Sequence, residues 1–261
     1  MKRVIMWQEE RYQRIRKMLE AMRSVSTDRI VDELGVSRET VRRDLIALEA
    51  LGALRRSHGG AVLPEAGPAA MGTRPPDGRH ARNIARAAVA RLSNDLTVYM
   101  EAGLMATHLA DALSALHGIT LITNSFEAAT RVATSDEHAA HGNRVFVLGG
   151  AVRAPLAGTQ GDRAIAEIHR YTADAALLFP TGFDARHGAT HADLAHAELG
   201  RAMAANASRI MVIADDASIA VNARASYCAA DRVAVLITNR KSEAKEGYDM
   251  LAGAVGSVVL A

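Results

Sequence analysis

Arg38, Arg42 and Arg43 stand within six residues of one another, and Arg55, Arg56 and His58 follow closely behind. Guanidinium groups gathered on one side of a helix suit the major groove of B-DNA, where arginine forms two-point contacts with guanine. Hydroxyls at Ser26, Thr27, Ser37 and Thr40 can donate to phosphate, and a helix N-terminus adds its dipole at the same place. Arg55, Arg56 and His58 are spaced to reach flanking backbone or the minor groove. Taken alone, a basic helix face reads equally well as a solvated surface.

A second group is Asp184, His187, His191, Asp193 and His196. Nitrogen and oxygen donors at such spacing could hold a divalent metal. No Cys-x-x-Cys or His-Glu-x-x-His frame accompanies them, and ordinary polar loops often carry histidine. No metal and no cofactor is therefore expected. Proton-transfer chemistry could conscript Glu101, Asp184 and His191. Schiff-base chemistry has little to draw on, because no lysine falls between residues 18 and 240.

The elements that must position these groups follow from periodicity. Tyr12, Ile15, Leu19 and Met22 recur at helical spacing. Ser26-Thr27 offers a cap for a short second helix carrying Ile30, Val31 and Leu34, with Gly35 as its left-handed stop. Ser37 caps a third helix. On a wheel at ~100° per residue, Val41, Leu45 and Leu48 gather inward, while Arg38, Glu39, Arg42, Arg43 and Ile46 fall on the other side. Gly52 closes that helix, and the basic, glycine-bearing run from Leu54 to Leu63 suits a β-hairpin wing.

Residues 64–80 hold four of the six prolines (Pro64, Pro68, Pro75 and Pro76) and read as a linker. Beyond Ala81, helical stretches alternate with short apolar runs. Strands are expected near Thr97–Met100, Ile119–Thr123, Val145–Leu148, Ala175–Phe179, Ile210–Ile213 and Val233–Thr238. Helices are expected over 81–92, 104–115, 125–134, 162–170 and 194–206. The fold class is α/β: a three-helix-plus-wing unit over 8–63, then a mainly parallel open sheet covered on both faces over 81–261.

Charge divides along the same line. Residues 1–61 hold 13 Lys+Arg against 9 Asp+Glu, and residues 62–261 hold 18 against 20, so the excess positive charge sits in the first unit. That asymmetry fits a nucleic-acid-facing module on a neutral body. Cys228 is the single cysteine, so no intrachain disulfide forms and a reducing cytoplasm is expected. No stretch approaches the ~20 apolar residues of a membrane span, and none resembles a signal peptide.

The run VSRETVRRDLIALEALGALRRSHGGAV, from Val36 to Val62, resembles the DNA-binding domain of the DeoR family of bacterial regulators. The family pattern is Val-Ser, then Thr-(Ile/Val)-Arg-Arg-Asp-Leu, then Leu-Glu, Gly, and an Arg-x-His-Gly-Gly-Ala wing. Val36, Ser37, Thr40 to Leu45, Leu48, Glu49, Gly52, Arg56, His58, Gly59, Gly60 and Ala61 all conform, as do Arg11, Ile15, Val25 and Ser26 upstream. The resemblance implies a winged helix-turn-helix with the helix-turn-helix over about Val25 to Asp44.

A weaker resemblance runs through the remainder. Ile119 to Ser125, Leu148 to Val152, Gly161, Gly182, Gly188, Asp193 and Ala214 to Asp216 sit at the family's intervals. They imply a sensor domain related to sugar-phosphate isomerases, with effector contacts at Glu101, Gly103, Thr123, Asn124, Gly149, Gly150, Gly182, Asp184 and His191. Three departures bear on the ligand. The family's Asp-x-Gly-Thr-Thr loop reads Glu101-Ala102-Gly103-Leu104-Met105. A Glu-Ala-x-x-x-Lys segment reads His196 to Arg201. Asp-Ser-Ser-Lys reads Asp215-Asp216-Ala217-Ser218. Losing two hydroxyls and a cation while presenting Glu101 and Asp216 weakens a phosphate grip.

The expectation is a non-enzymatic transcription regulator, a repressor by family habit. Its partners would be double-stranded operator DNA, a small carbohydrate-related effector, and further copies of itself in a dimer or tetramer. The alternatives are an isomerase-like enzyme or a ligand-free dimerisation domain joined to the DNA-binding module.

Overall fold

Tyr12, Ile15 and Leu19 are buried along one face of α1 (Gln8–Met22), as their spacing requires. The computed structural model describes residues 8–22, 24–50, 54–57, 59–62, 78–153 and 157–261. After α1 come β1 (Ser24–Ser26), α2 (Thr27–Leu34), α3 (Arg38–Ala50), β2 (Arg55–Ser57) and β3 (Gly60–Val62). Ile30 and Leu34 of α2 and Val41, Leu45 and Leu48 of α3 meet the α1 stripe in one core, with Val25, Leu54 and Ala61 from the strands. Each such side chain contributes roughly 1.5–3 kcal/mol by leaving water. The strands form an antiparallel sheet in the order β1-β3-β2. The hairpin matches expectation, whereas its third strand, β1, is an addition to it. The expected stop at Gly52 lies outside the described residues, as does most of the linker.

A second compact unit lies within residues 67–261. It opens with α4 (Gly78–Val89), three residues before the helix expected from sequence. There follow β4 (Thr97–Met100), α5 (Ala106–Leu113), β5 (Thr120–Thr123), α6 (Phe126–Ala133), α7 (Asp136–Ala140) and β6 (Arg144–Val147). Next come β7 (Ala151–Arg153), β8 (Gly158–Gln160), α8 (Asp162–Ile168), β9 (Ala173–Leu178), β10 (Gly182–Asp184) and β11 (Gly188–His191). The chain continues through α9 (Leu194–Ala205), β12 (Ala207–Ile213), β13 (Ala225–Cys228), β14 (Val233–Thr238), α10 (Tyr248–Ala254) and β15 (Val258–Leu260).

Seven strands make one parallel sheet in the order β15-β14-β12-β9-β4-β5-β6. Alternate residues serve opposite faces, because the strand repeat is two. Val98, Met100, Leu177, Met211 and Ile237 pack with α4, α5 and α6. Tyr99, Ala176, Leu178, Val212 and Leu236 pack with α8, α9 and α10. The chain starts at β4, runs outward through β5 and β6, then returns to β9 on the other side of β4. The strand order therefore reverses between β4 and β9, and open α/β sheets place their ligand crevice at the carboxyl ends of such a pair.

Two smaller pieces flank this sheet. β10, β11 and β13 form an antiparallel sheet in that order, and β7 pairs with β8 as a hairpin. Both are additions to the expected elements, as are α7, α10 and β15. α5 is shorter than its expected 104–115, because the Ala106 amide turns back to the Gly103 carbonyl and closes a tight turn first.

Candidate DNA-reading surface and sensor crevice

The second and third helices of the first unit are capped as the sequence suggests. The Arg29 amide donates to Ser26 Oγ (3.3 Å), and Gly35 ends α2 at φ 63°. The Thr40 amide donates to Ser37 Oγ (3.1 Å), and the two hydroxyls bond at 2.8 Å. Ser26, Ser37 and Thr40 thus hold helix starts while lying at or near the surface. Thr27 begins α2, and its amide donates to the Gly59 carbonyl at 2.8 Å, fastening the wing turn to the helix start.

Arg38, Arg42 and Arg43 project outward, with side chains 71%, 67% and 78% exposed. Acidic neighbours hold them loosely. Arg38 pairs with Asp28 at 2.6 Å, while Glu39 faces Arg42 at 3.7 Å and Arg43 at 3.3 Å. Exposed pairs of this kind stabilise a fold by less than about 1 kcal/mol, so all three arginines stay available to an incoming polyanion. Ile46 lies on the same helix and is 42% exposed. A cleft of about 750 Å³ is lined by Thr27, Arg38, Glu39, Arg42, Arg56, Ser57 and Gly59, among others, so α3 and the wing share one basic hollow.

Two residues of the signature act from beneath. Asp44 is buried and takes Arg11 at 2.6 Å and 2.9 Å, which locks α3 to α1. Glu49 accepts from both the Arg56 amide (2.9 Å) and Arg56 Nε (2.6 Å), so the end of α3 anchors the wing. That pairing, the backbone bond first, holds the Glu49 carboxyl below its ordinary range. The paired wing glycines also have a steric cause. Gly59 takes φ 87°, and a Cβ at Gly60 would collide with the Val25 carbonyl oxygen. Arg55 belongs to β2; His58 lies outside the described residues.

The sensor unit has its polar centre at the reversal between β4 and β9. Glu101 immediately follows β4 and is fully buried. Its Oε2 accepts the Phe179 amide at the end of β9 (2.5 Å) and the Tyr227 hydroxyl (3.4 Å). Burial and the Glu101 charge hold the Tyr227 hydroxyl well above its ordinary pKa. His196 Nε2 stands 3.8 Å from the same oxygen, and the His191 ring stacks on His196 at 4.0 Å with planes 15° apart. His191 Nδ1 lies 3.0 Å from the Asp193 amide and 3.2 Å from the Asp193 carbonyl, so the Asp193 backbone fixes this edge of the ring. Burial, then the neighbouring His196, pushes His191 down to about 4. Gly200 of α9 makes room for this centre, since a Cβ there would collide with Glu101 Oε1.

The other expected effector residues fall into three sets. Gly103, Thr123 and Asn124 lie beside Glu101 at the ends of β4 and β5, whereas Gly149 and Gly150 follow β6 and pack against α8 and β8. Asn124 accepts from the Ala102 amide (2.7 Å) and donates to the Thr159 carbonyl (2.9 Å). Thr123 Oγ1 donates to the Met100 carbonyl (2.7 Å). Both side chains therefore brace the loops, and Gly103 lies against the Phe179 ring. The Gly149 amide is taken by Glu167 (2.7 Å). Gly182 and Asp184 sit instead on β10, where Asp184 accepts the Arg186 and His187 amides and closes its own turn. Among the described residues no group of three or more His, Cys, Asp or Glu is arranged to hold a metal ion. Asp184 and His187 pair with each other at 3.0 Å, while His191 and His196 stack.

The positions at which the resemblance implies a phosphate grip carry other groups here. Met105 is buried in the apolar core. Asp215 accepts the Ala217 amide (3.1 Å), and Asp216 accepts from Asn239 (2.7 Å). Burial raises the Asp215 pKa, and Asp216 beside it adds to the effect. Ser218, where the family carries lysine, is buried without a charge.

Residues 11–66 match the DeoR-like helix-turn-helix domain, and residues 78–240 match the DeoR C terminal sensor domain. The chain belongs to the DeoR family. Within that family it is 29% identical to the HTH-type transcriptional repressor GlcR of Bacillus subtilis over 241 residues, covering 90% of each chain. It is 28% identical to the HTH-type transcriptional regulator GolR of Listeria innocua, covering 89% of this chain and 91% of that one. It is 25% identical to the glycerol-3-phosphate regulon repressor of Escherichia coli, covering 84% and 85%. As a DeoR-family member the protein is a DNA-binding transcription regulator, and it joins a winged helix-turn-helix to an α/β sensor domain.

Proposed function

We propose that this protein is a repressor that binds operator DNA as a homo-oligomer and changes its hold when a small carbohydrate-related effector enters the sensor unit. The observation that carries the DNA half is the outward set of Arg38, Arg42 and Arg43 on a helix fixed from beneath by Asp44. The readers on this account are Ser26, Thr27, Ser37, Arg38, Thr40, Arg42, Arg43, Arg55, Arg56 and His58. The domain limits that fit are 8–63 for DNA binding and 81–261 for sensing, with 64–80 between them. Two half-sites held together bind far more tightly than one, which is why copies must associate. The relatives named as repressors support the direction of control.

The sensor half rests on the buried polar cluster at the β4–β9 reversal. Catalysis has no part in this reading. Glu101, the acid best placed for proton transfer, has its Oε2 committed to the Phe179 amide and the Tyr227 hydroxyl. No helix among the described residues is long and apolar enough to cross a membrane, in keeping with a cytoplasmic site of action. Genome-wide footprinting of the protein, joined to transcript measurements with and without its gene, tests the proposal. Repression requires that genes beside the occupied sites rise when the protein is absent. Occupied genes that fall, or no discrete sites, would contradict it. Turnover of a sugar phosphate by the purified protein would contradict the non-enzymatic part.

A further inference from the structure

Buried polar atoms without a partner are rare and call for an explanation, since each has lost its water without replacement. Among the described residues four side-chain atoms are in this condition, and three of them lie together: Glu101 Oε1, His196 Nδ1 and His196 Nε2. They stand at the carboxyl ends of β4 and β9, where the strand order reverses and ligand crevices form. His191 lies over His196, with its Nδ1 beside both the Asp193 amide and the Asp193 carbonyl. The unpartnered set reads acceptor (Glu101) and, on a neutral ring, donor and acceptor (His196).

A hydroxyl group matches that set, because it donates through its hydrogen and accepts through its lone pairs. A carboxylate also takes two neighbouring hydroxyls at once. A phosphate ester does not match. It is acceptor-only at neutral pH and would face a buried carboxylate in a low dielectric, where like charges repel strongly. The positions where the family grips phosphate do not offset that repulsion, and Lys245 acts at this edge on Asp215. Met105 is turned into the core, Ser218 brings no charge, and Asp215 and Asp216 add acid at the same edge of the sheet. Gly200 is part of the same arrangement. A methyl there would collide with Glu101 Oε1 and the Tyr227 ring, so the helix yields space to a long acidic side chain.

We propose that the sensor crevice recognises a neutral, polyhydroxylated ligand, a free sugar or polyol without phosphate, whose hydroxyls donate to Glu101 Oε1 and accept from His196. This rests on the reading of residues 78–261 as an effector sensor. The experiment uses the full chain on its footprinted operator fragment. Release from DNA and thermal midpoint are followed with paired probes: glycerol and glycerol 3-phosphate, glucose and glucose 6-phosphate, ribose and ribose 5-phosphate, fructose and fructose 6-phosphate. In at least one pair the neutral member acts at about tenfold lower concentration than its ester, or better. Glu101→Gln then weakens that member by about tenfold or more, in line with losing a charge-assisted hydrogen bond. Circular dichroism shows that the variant remains folded. An ester that acts at lower concentration than its neutral partner, or a folded Glu101→Gln protein with unchanged response, overturns the ligand class and leaves sensing intact. Silence in every pair overturns the sensing of sugars and polyols itself, and the proposal with it.

Discussion

Arg11 and Asp44 join the first and third helices of the DNA-binding unit by two parallel contacts, 2.6 Å and 2.9 Å long, around a carboxylate that is 3% exposed. The arginines proposed to face DNA thus ride on a helix held by an arginine of another helix. Removing Asp44 takes two charge-assisted hydrogen bonds from a part-buried Arg11. Asp44→Ala is expected to lower the unfolding free energy of this unit by roughly 3 kcal/mol. Urea denaturation followed by helical circular dichroism measures it. A variant as stable as the parent would show that the pair does not fix the helix.

Glu39 stands between Arg42 and Arg43, 3.7 Å and 3.3 Å away. Its charge restrains the two guanidinium groups and repels phosphate. Glu39→Gln is expected to leave stability within about 0.5 kcal/mol, because exposed pairs contribute little. Affinity for scrambled DNA should rise while the operator's advantage shrinks. Fluorescence anisotropy on operator and scrambled duplexes gives both numbers. Unchanged affinity on both would mean that Glu39 has no hold on its neighbours in the complex.

His191 supplies a pH dependence whose sign can be worked out. Its pKa falls from 6.5 to about 4 on folding. Between those values the unfolded chain binds a proton that the folded chain refuses. Stability from this group is therefore complete above about 6.5, falls as pH drops towards 4, and changes little below that. The total loss is on the order of a few kcal/mol, because a tenfold change in proton affinity corresponds to about 1.4 kcal/mol. Thermal midpoints at pH 7.5 and 5, for the parent and for His191→Asn, test this. The parent should lose more than the variant, and equal losses would place the acid sensitivity elsewhere.

The first unit is legible in the sequence because its pattern is local. Val41, Leu45 and Leu48 lie within eight residues, and the caps at Ser26 and Ser37 sit beside the helices they start. β14 matches its expected limits, since Val233 to Thr238 is a run of β-formers buried on both faces. β12 starts three residues earlier than expected, at Ala207, because pairing with Ala173 of β9 extends it. The β10-β11-β13 sheet is hidden for the same kind of reason. Its strands are three or four residues long, two of them start with glycine, and Ala189 finds its partner at Cys228. Sequence points to Glu101 and His191 but not to Tyr227 or the Phe179 amide, which converge only in space. One local sign of that convergence exists. Gly200 interrupts a helical pattern at a cost of about 1 kcal/mol, and a glycine kept there usually marks a close approach.

On this account α3 reads operator DNA through Arg42 and Arg43. Both side chains are mostly exposed, while Val41, Leu45 and Leu48 are buried, so Arg42→Ala and Arg43→Ala should fold normally. The decisive measurement is a salt titration of binding by the parent and both variants, on operator and on scrambled duplex, with circular dichroism as the folding control. Loss of a base-reading arginine removes about 1–3 kcal/mol of preference for the operator. Loss of a phosphate-contacting arginine weakens both duplexes alike and lowers the slope of log affinity against log salt by about one unit. At least one of the pair is expected to show the first signature. If both variants stay folded and keep the parent's affinity, salt slope and preference, α3 is not the reading element.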